Sequence, residues 1–380
     1  MERESERKIK TQGCPALGRD RARSSSSTTK QSASPAEDSK NKRKASPDNK
    51  TQRKKRRTSE VTEPCHSCKE DGRVRGEKRK VGGDGEGPSE ERKKRKTSKC
   101  AKKPSVDVAR ARFKARYEEQ NQLGEGGCGS VFAGYRKSDK LPVAIKHIPM
   151  DKVFCKHVAR NGKELSVEVA VMLKLAKSRK KGEVGTSAPV ALLDWYDLGQ
   201  ELILVLERPV PAEDLLKYTE QKGGCLQEEE GRIILKQLVN AALELQEKRI
   251  FHRDIKIENI LIETGSNTPR VRIIDFGLSC FTKKTSSYTV FYGTSTHAPP
   301  EWYSCCHYRP GPSTVWQLGV VLYEILHKDS VFETIDFLTN RLQISNELSN
   351  SCRDFLNKCL TRIPYQRPTL QELKRHHWLA

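Results

Sequence analysis

Hydrophobic and polar positions along this chain follow two regimes, with a change near residue 112. From 113 onward apolar residues recur with strand and helix periods; before it they hardly recur at all. Short apolar runs at 130–135, 142–146, 190–196 and 202–206 read as strands, which with the segment before them make a five-stranded sheet. Between them, 164–175 (Glu-Leu-Ser-Val-Glu-Val-Ala-Val-Met-Leu-Lys-Leu) is amphipathic and predicts a helix. In the second half, 228–248 carries Ile234, Leu235, Leu238, Ala241, Ala242 and Leu245 as a helical stripe. A strand at 271–274 and a buried helix over 318–326 complete the coarse picture. The order is a β-rich unit over 113–206, then a mainly helical one over 207–380, an α+β organisation.

Residues 1–112 lack the apolar surface to offset the entropy of ordering, so the pattern predicts a disordered tail. It holds 34 Lys and Arg against 17 Asp and Glu, a net +17 of the chain's +22, leaving +5 for the other 268 residues. The basicity therefore belongs to the tail and does not argue that the folded part binds nucleic acid. Lys42-Arg43-Lys44 followed by Arg53 to Arg57 has the form of a bipartite nuclear-import signal, with Lys78 to Lys80 and Arg92 to Lys96 adding to it. These clusters predict import receptors as partners and a nuclear as well as cytoplasmic location; the plainer alternative is a solvated polycation. Cys65-His66-Ser67-Cys68 supplies half of the four ligands a structural zinc needs. Ser34 and Ser46 each precede proline and offer phosphorylation sites. No apolar run approaches the ~18–20 residues that cross a bilayer. The charged first residues have no apolar core of a secretory signal. Twelve cysteines without a framework of spacings then predict reduced thiols.

Chemistry enters through residues 252–259, His-Arg-Asp-Ile-Lys-Ile-Glu-Asn. The spacing H-R-D-x-K-x-x-N is that of a protein-kinase catalytic loop: Asp254 to accept a substrate hydroxyl proton, Lys256 near the transferred phosphoryl, Asn259 for magnesium. Asp275-Phe276-Gly277 stands sixteen residues after Asn259 and supplies the second metal position. Upstream, Gly124, Gly126, Gly129 and Val131 form G-x-G-x-x-G-x-V after Leu123. A helix should follow that motif in a dinucleotide-binding fold, but strand-like residues follow here, and then Lys146 on an apolar strand. Strand, glycine turn, strand, lysine strand is the kinase order. An ammonium on such a strand needs an anion. ATP phosphates supply one and Glu168 the other, with Glu164 as the fallback; the alternative leaves Glu168 on the surface beside Lys163 or Lys174. Glu301 in Ala298-Pro-Pro-Glu is expected to pair with Arg367, closing an activation segment that runs from Asp275.

The hinge Glu207-Arg-Pro-Val-Pro, the stretches 142–147, 192–195 and 252–262, Pro299-Pro-Glu-Trp302 and Val315-Trp-x-Leu-Gly319 resemble the Pim serine/threonine kinases. The resemblance spans roughly 117–379 and none of the tail. It implies a two-lobed, monomeric kinase, using ATP and Mg2+, constitutively active on protein substrates with arginines before the acceptor. It implies Leu206 beside the adenine, the Glu207 carbonyl accepting from it, and Leu123, Val131 and Ala144 enclosing the base. Pro209 removes the second hinge donor, since proline has no N–H. Asp214 and Glu258 are expected to select arginine, Thr294 to sit near Asp254 and Lys256, and Arg253 to be able to meet a phosphate on Ser286, Ser287 or Thr289. Two departures stand out: Ile257 replaces an acidic residue of the family's loop, and Thr314 occupies the place of an Asp that usually braces it. His376 and His377 read as exposed residues at the last helix end. The rival readings are a pseudokinase scaffold and a nucleic-acid binder acting through the tail.

Overall fold

Five strands, most of them apolar, and two helices build the smaller of two units. The computed structural model describes residues 105–380 apart from 128, 159–161, 163, 178–184, 186 and 329–330. The basic clusters at 42–57, 78–80 and 92–96, the Cys65–Cys68 stretch, Ser34 and Ser46 lie outside the described residues.

Helix α1 (Val106–Arg116) comes first, with the Ser105 hydroxyl accepting from Val108 N–H at 3.4 Å. It lies partly inside the stretch expected to be disordered, and corrects the boundary at 112. Two apolar residues one turn apart explain it: Ala109 and Phe113 are buried against Tyr117, Tyr196 and Ile203 on one face of the sheet. Phe113 meets the Tyr196 ring edge-on at 5.4 Å, and Arg116 pairs with Asp194. Strands β1 (Tyr117–Gly126), β2 (Gly129–Arg136) and β3 (Pro142–Pro149) follow. A short hairpin, β4 (Lys156–Val158) and β5 (Glu164–Ser166), leads into α2 (Val167–Ala176). Then come β6 (Leu192–Asp197) and β7 (Glu201–Glu207). Five strands form one antiparallel sheet in the order β1-β2-β3-β7-β6, as the pattern predicts.

The helix expected over 164–175 starts three residues later. Ser166 caps it, its hydroxyl accepting from Val169 N–H at 3.2 Å, and Glu164 is left on β5 beside Lys156 at 3.6 Å. Glu164 is thereby removed as the fallback partner of Lys146.

The larger unit begins with β8 (Ala212–Asp214) and α3 (Leu215–Gln221) and is built around α4 (Glu228–Glu247). Strands β9 (Ile250–Phe251), β10 (Ile260–Glu263), β11 (Arg270–Ile273) and β12 (Cys280–Phe281) bracket the loops that carry the chemistry. Beyond them lie α5 (Pro300–Cys305), α6 (Pro310–Leu326), α7 (Thr334–Leu338), α8 (Asn350–Cys359) and α9 (Leu370–Lys374). The core runs through α4 and α6, whose Ile234, Leu238, Trp316, Leu318 and Val321 are at most 1 % exposed. Among the described residues no helix is long and apolar enough to cross a membrane.

One expectation is corrected here. His376 is buried, not exposed: its ring faces Asp354 Oδ2 at 3.0 Å through Nε2, and its Nδ1 accepts from Trp378 N–H at 3.2 Å, pinning the chain end to α8. The Lys358 ammonium sits 2.7 Å from the same carboxylate oxygen and 3.3 Å from His376 Nε2, so a metal ion there would meet a fixed positive charge. Among the described residues Cys155, Cys225, Cys280, Cys305, Cys352 and Cys359 are free thiols.

Candidate active site

Lys146 sits mid-strand on β3, opposite Val131 of β2 and Leu204 of β7, so the sheet leaves its ammonium no water. Its Nζ lies 2.8 Å from Glu168 Oε1 and 2.9 Å from Asp275 Oδ1. Burial alone would lower the Lys146 pKa, but the Asp275 and Glu168 carboxylates outweigh it and hold it above the ordinary lysine value. The ammonium therefore stays charged. Glu168 is 5 % exposed, which excludes the surface alternative with Lys163 or Lys174. Asp275 has φ +56°, and its Oδ1 also accepts from Gly277 N–H at 3.1 Å.

The second cluster is the loop between β9 and β10. Asp254 is 3 % exposed. Its Oδ1 accepts from Thr294 N–H at 3.0 Å and from the Thr294 hydroxyl at 2.8 Å, and its Oδ2 from Asn259 Nδ2 at 3.2 Å. Asn259 Nδ2 also donates to the Asp254 carbonyl at 2.8 Å, which fixes the loop's turn. His252 supports it from behind, with Nε2 3.1 Å from the Ile274 carbonyl and Nδ1 accepting from Asp254 N–H at 3.4 Å. Lys256 is buried, 3.5 Å from Glu258 Oε1. Three carboxylates, Glu168, Asp254 and Asp275, with an amide and two lysines thus converge from β3, α2 and the loops after β9 and β11. Such a set can hold a polyphosphate with its cation and accept a proton beside it.

A protein kinase domain model matches residues 117–379, the described part of the chain beyond α1 almost in full. The chain belongs to the protein kinase family. The serine/threonine-protein kinase pim-2 of Danio rerio is 37% identical over 275 residues, 70% of this chain and 86% of that protein. The serine/threonine-protein kinase prk-2 of Caenorhabditis elegans is 32% identical over 71% of this chain and 59% of its own length. Sperm motility kinase 1 of Mus musculus is 29% identical over 71% of this chain and 53% of its own length. The protein is a serine/threonine protein kinase of Pim-like sequence.

The residues expected to enclose the base are brought into register by the sheet. Ala144 stands opposite Leu206, and Gly124 opposite Val131. Gly129 is needed at its place: with φ +136°, a Cβ there would lie 1.9 Å from the His147 carbonyl oxygen. Gly126 pairs with it at the tip, and Leu123 is half exposed at the entrance. Glu207 ends β7 with its side chain buried, accepting from Ala191 N–H at 2.9 Å and pairing with Arg272 at 2.6 Å. That anchor fixes the strand whose end leads into Pro209. Asp214 has local work: it caps α3, accepting from Lys217 N–H at 2.9 Å, and pairs with Lys217 Nζ at 3.1 Å. Its strand pairs it with Leu261, two residues past Asn259, while Glu258 lies by Lys256, so the two carboxylates stand on neighbouring elements, each with a partner of its own. Glu301 and Arg367 form the expected fork, at 3.0 and 2.6 Å.

One residue that braces the catalytic loop escaped the motif reading. Thr314 turns its hydroxyl back to Pro310 of its own helix at 2.8 Å, while Gln317, one turn on, donates from Nε2 to the Arg253 carbonyl at 2.6 Å. Arg253 has φ +76°, a conformation a non-glycine residue holds only when its surroundings fix it. The signal was available: Gln317 is a polar residue inside the apolar run of α6, 4 % exposed. Gln317→Leu leaves a buried carbonyl without that donor, at about 1–3 kcal/mol. The variant is expected to melt lower and to lose kcat more than peptide KM, measured by calorimetry and steady-state kinetics. Wild-type kcat at a lowered Tm would show that the bond stabilises without positioning.

Proposed function

We propose that this kinase transfers the γ-phosphoryl of Mg-ATP to serine or threonine in proteins that carry arginine upstream of the acceptor, and that it does so without prior phosphorylation of its activation segment. In this reading Asp254 orients the substrate hydroxyl and takes its proton, with Thr294 and Asn259 fixing its two oxygens. Lys146, set by Glu168, holds the non-transferred phosphates, and Lys256 steadies the one in flight. Magnesium held by Asp275 and Asn259 would neutralise phosphate charge. The donor set fits: one carboxylate and one amide oxygen suit a hard cation that keeps several waters. Leu123, Val131, Ala144 and Leu206 enclose the base, the Glu207 carbonyl accepts from it, and Pro209 offers no donor.

The observation that carries the reading is the Lys146–Glu168–Asp275 cluster, formed alongside the Asp254–Thr294–Asn259 one. A scaffold has no need of both. Support for arginine selection is the Glu258 carboxylate beside the catalytic lysine, and support for phosphate-independent activity is an activation segment tied at its end by Glu301–Arg367 and in its course by Thr294–Asp254. A peptide array probed with the purified chain, before and after phosphatase treatment, is expected to favour serine peptides with upstream arginines and to keep most of its rate. A profile indifferent to arginine overturns the specificity; a large loss of rate reversed by autophosphorylation overturns the independence.

A further inference from the structure

Arg253 lies between the base and the histidine of the catalytic loop and is 1 % exposed. A guanidinium keeps its charge in any protein setting, so its lost hydration has to be replaced. Its central carbon lies 4.5 Å from the centre of the Tyr288 ring, 5.1 Å from Tyr292 and 5.9 Å from Phe154. All three fall within the ~6 Å at which a ring face attracts a cation. Nη1 also donates to the Leu278 carbonyl at 3.4 Å.

The rings come from two parts of the chain. Tyr288 and Tyr292 belong to the activation segment; Phe154 belongs to the link between β3 and α2. Phe154 meets Tyr292 edge-on, centroids 4.5 Å apart, which closes the cage. Tyr288 is held by paired backbone bonds with Tyr308 at 2.9 and 3.0 Å and by its hydroxyl, 3.1 Å from Cys280 Sγ. Gly293 allows the close approach: with φ +140°, a Cβ there would lie 2.8 Å from the Arg253 carbonyl oxygen. On the other side, the carbonyl of Cys155, next to Phe154, accepts from Val167 N–H at 2.9 Å. Val167 opens α2, and the next residue is Glu168, the partner of Lys146.

We propose that Tyr288, Tyr292 and Phe154 are positioning residues that hold Arg253 by their ring faces, and so join activation segment, catalytic loop and α2 as a phosphate on the segment would otherwise do. The inference rests on the reading of the chain as a kinase active without a loop phosphate, and supplies the device for it. It also reassigns Arg253. Enclosed by the rings, the guanidinium is not set out to receive a phosphate on Ser286, Ser287 or Thr289.

The test compares the purified full chain with Tyr292→Phe, Tyr292→Leu and Phe154→Leu, reading kcat, KM for ATP and amide hydrogen exchange in α2. Tyr292→Phe keeps the ring and should hold kcat within about twofold. The two leucine variants should each lose about tenfold in kcat, the scale of a desolvated cation–π contact, with ATP KM moving less. Tyr292→Leu should also speed exchange in α2, across the cage from the altered residue. Leucine at 292 with wild-type kcat and wild-type α2 exchange overturns the proposal, as does a phenylalanine variant that falls as far as the leucine one. If one leucine variant does not fold, the other decides by the same criteria. If the wild-type chain transfers no phosphate, it is the kinase reading that fails, and the exchange measurement still decides whether the cage couples the segment to α2.

Discussion

Asp254→Asn is expected to stop phosphoryl transfer while leaving the melting temperature close to that of the unaltered chain. The carboxylate is held by three donors, two from Thr294 and one from Asn259, so its lone pair is aimed before any substrate arrives. An asparagine has nearly the same shape and retains one acceptor, but it cannot take a proton. A positioned general base contributes roughly 10²- to 10⁴-fold, and kcat should fall by that much with KM for ATP little altered. Lys146→Met should stop transfer too, by a different route. It leaves Glu168, 5 % exposed, facing Asp275 with no cation between them, so this variant should also unfold at lower temperature. Steady-state kinetics and calorimetry on both variants separate the two effects. Turnover retained by purified Asp254→Asn would defeat the assignment of the base.

Arg367→Ala carries the largest expected cost in stability. Arg367 joins both oxygens of Glu301 at 3.0 and 2.6 Å, donates to the carbonyls of Pro312 and Thr361 at 2.9 and 2.8 Å, and lies over the Trp316 ring at 5.0 Å. Its side chain has no exposure and that of Glu301 6 %. Removing one member of a buried pair strands the other charge, at about 3–5 kcal/mol. Urea unfolding should show that loss. Arg367→Lys should recover only part of it, because an ammonium cannot span two carboxylate oxygens and two carbonyls in one plane. Since Glu301 ends the activation segment, activity should fall with stability. A loss below ~1 kcal/mol would mean that the fork is not what ties the segment to the core.

What could be read from the sequence was chemistry compressed into short, fixed spacings. Lys146 on an apolar strand demanded an anion, and Glu168 on the next amphipathic stretch supplied it; Glu301 and Arg367 were paired by the same reasoning across 66 positions. Four of the five strands were legible as short apolar runs; β1, polar along most of its length, followed from the glycine motif at its end. Features set by tertiary contact were not. Helix α1 rests on Ala109 and Phe113 alone in a charged stretch, so its periodicity vanished into the tail's composition. The start of α2 was set by a capping serine, Ser166, within a stretch whose amphipathic period ran straight through it. Gln317 took over a loop-bracing role one helical turn from the place where a motif would look for it. His376 reads as an exposed helix end in the sequence because its partner, Asp354, is on another helix.

The Lys146–Glu168–Asp275 and Asp254–Thr294–Asn259 clusters are expected to act together as one phosphotransfer site. Transfer of radiolabel from γ-labelled ATP to a serine peptide with upstream arginines, by the purified full chain and by Asp275→Asn prepared alongside, decides it. Label is expected on the peptide with the unaltered chain and none above background with the variant, which withdraws one carboxylate from both Lys146 and the proposed metal position. Absence of label from the unaltered chain, with ATP still bound, would contradict it.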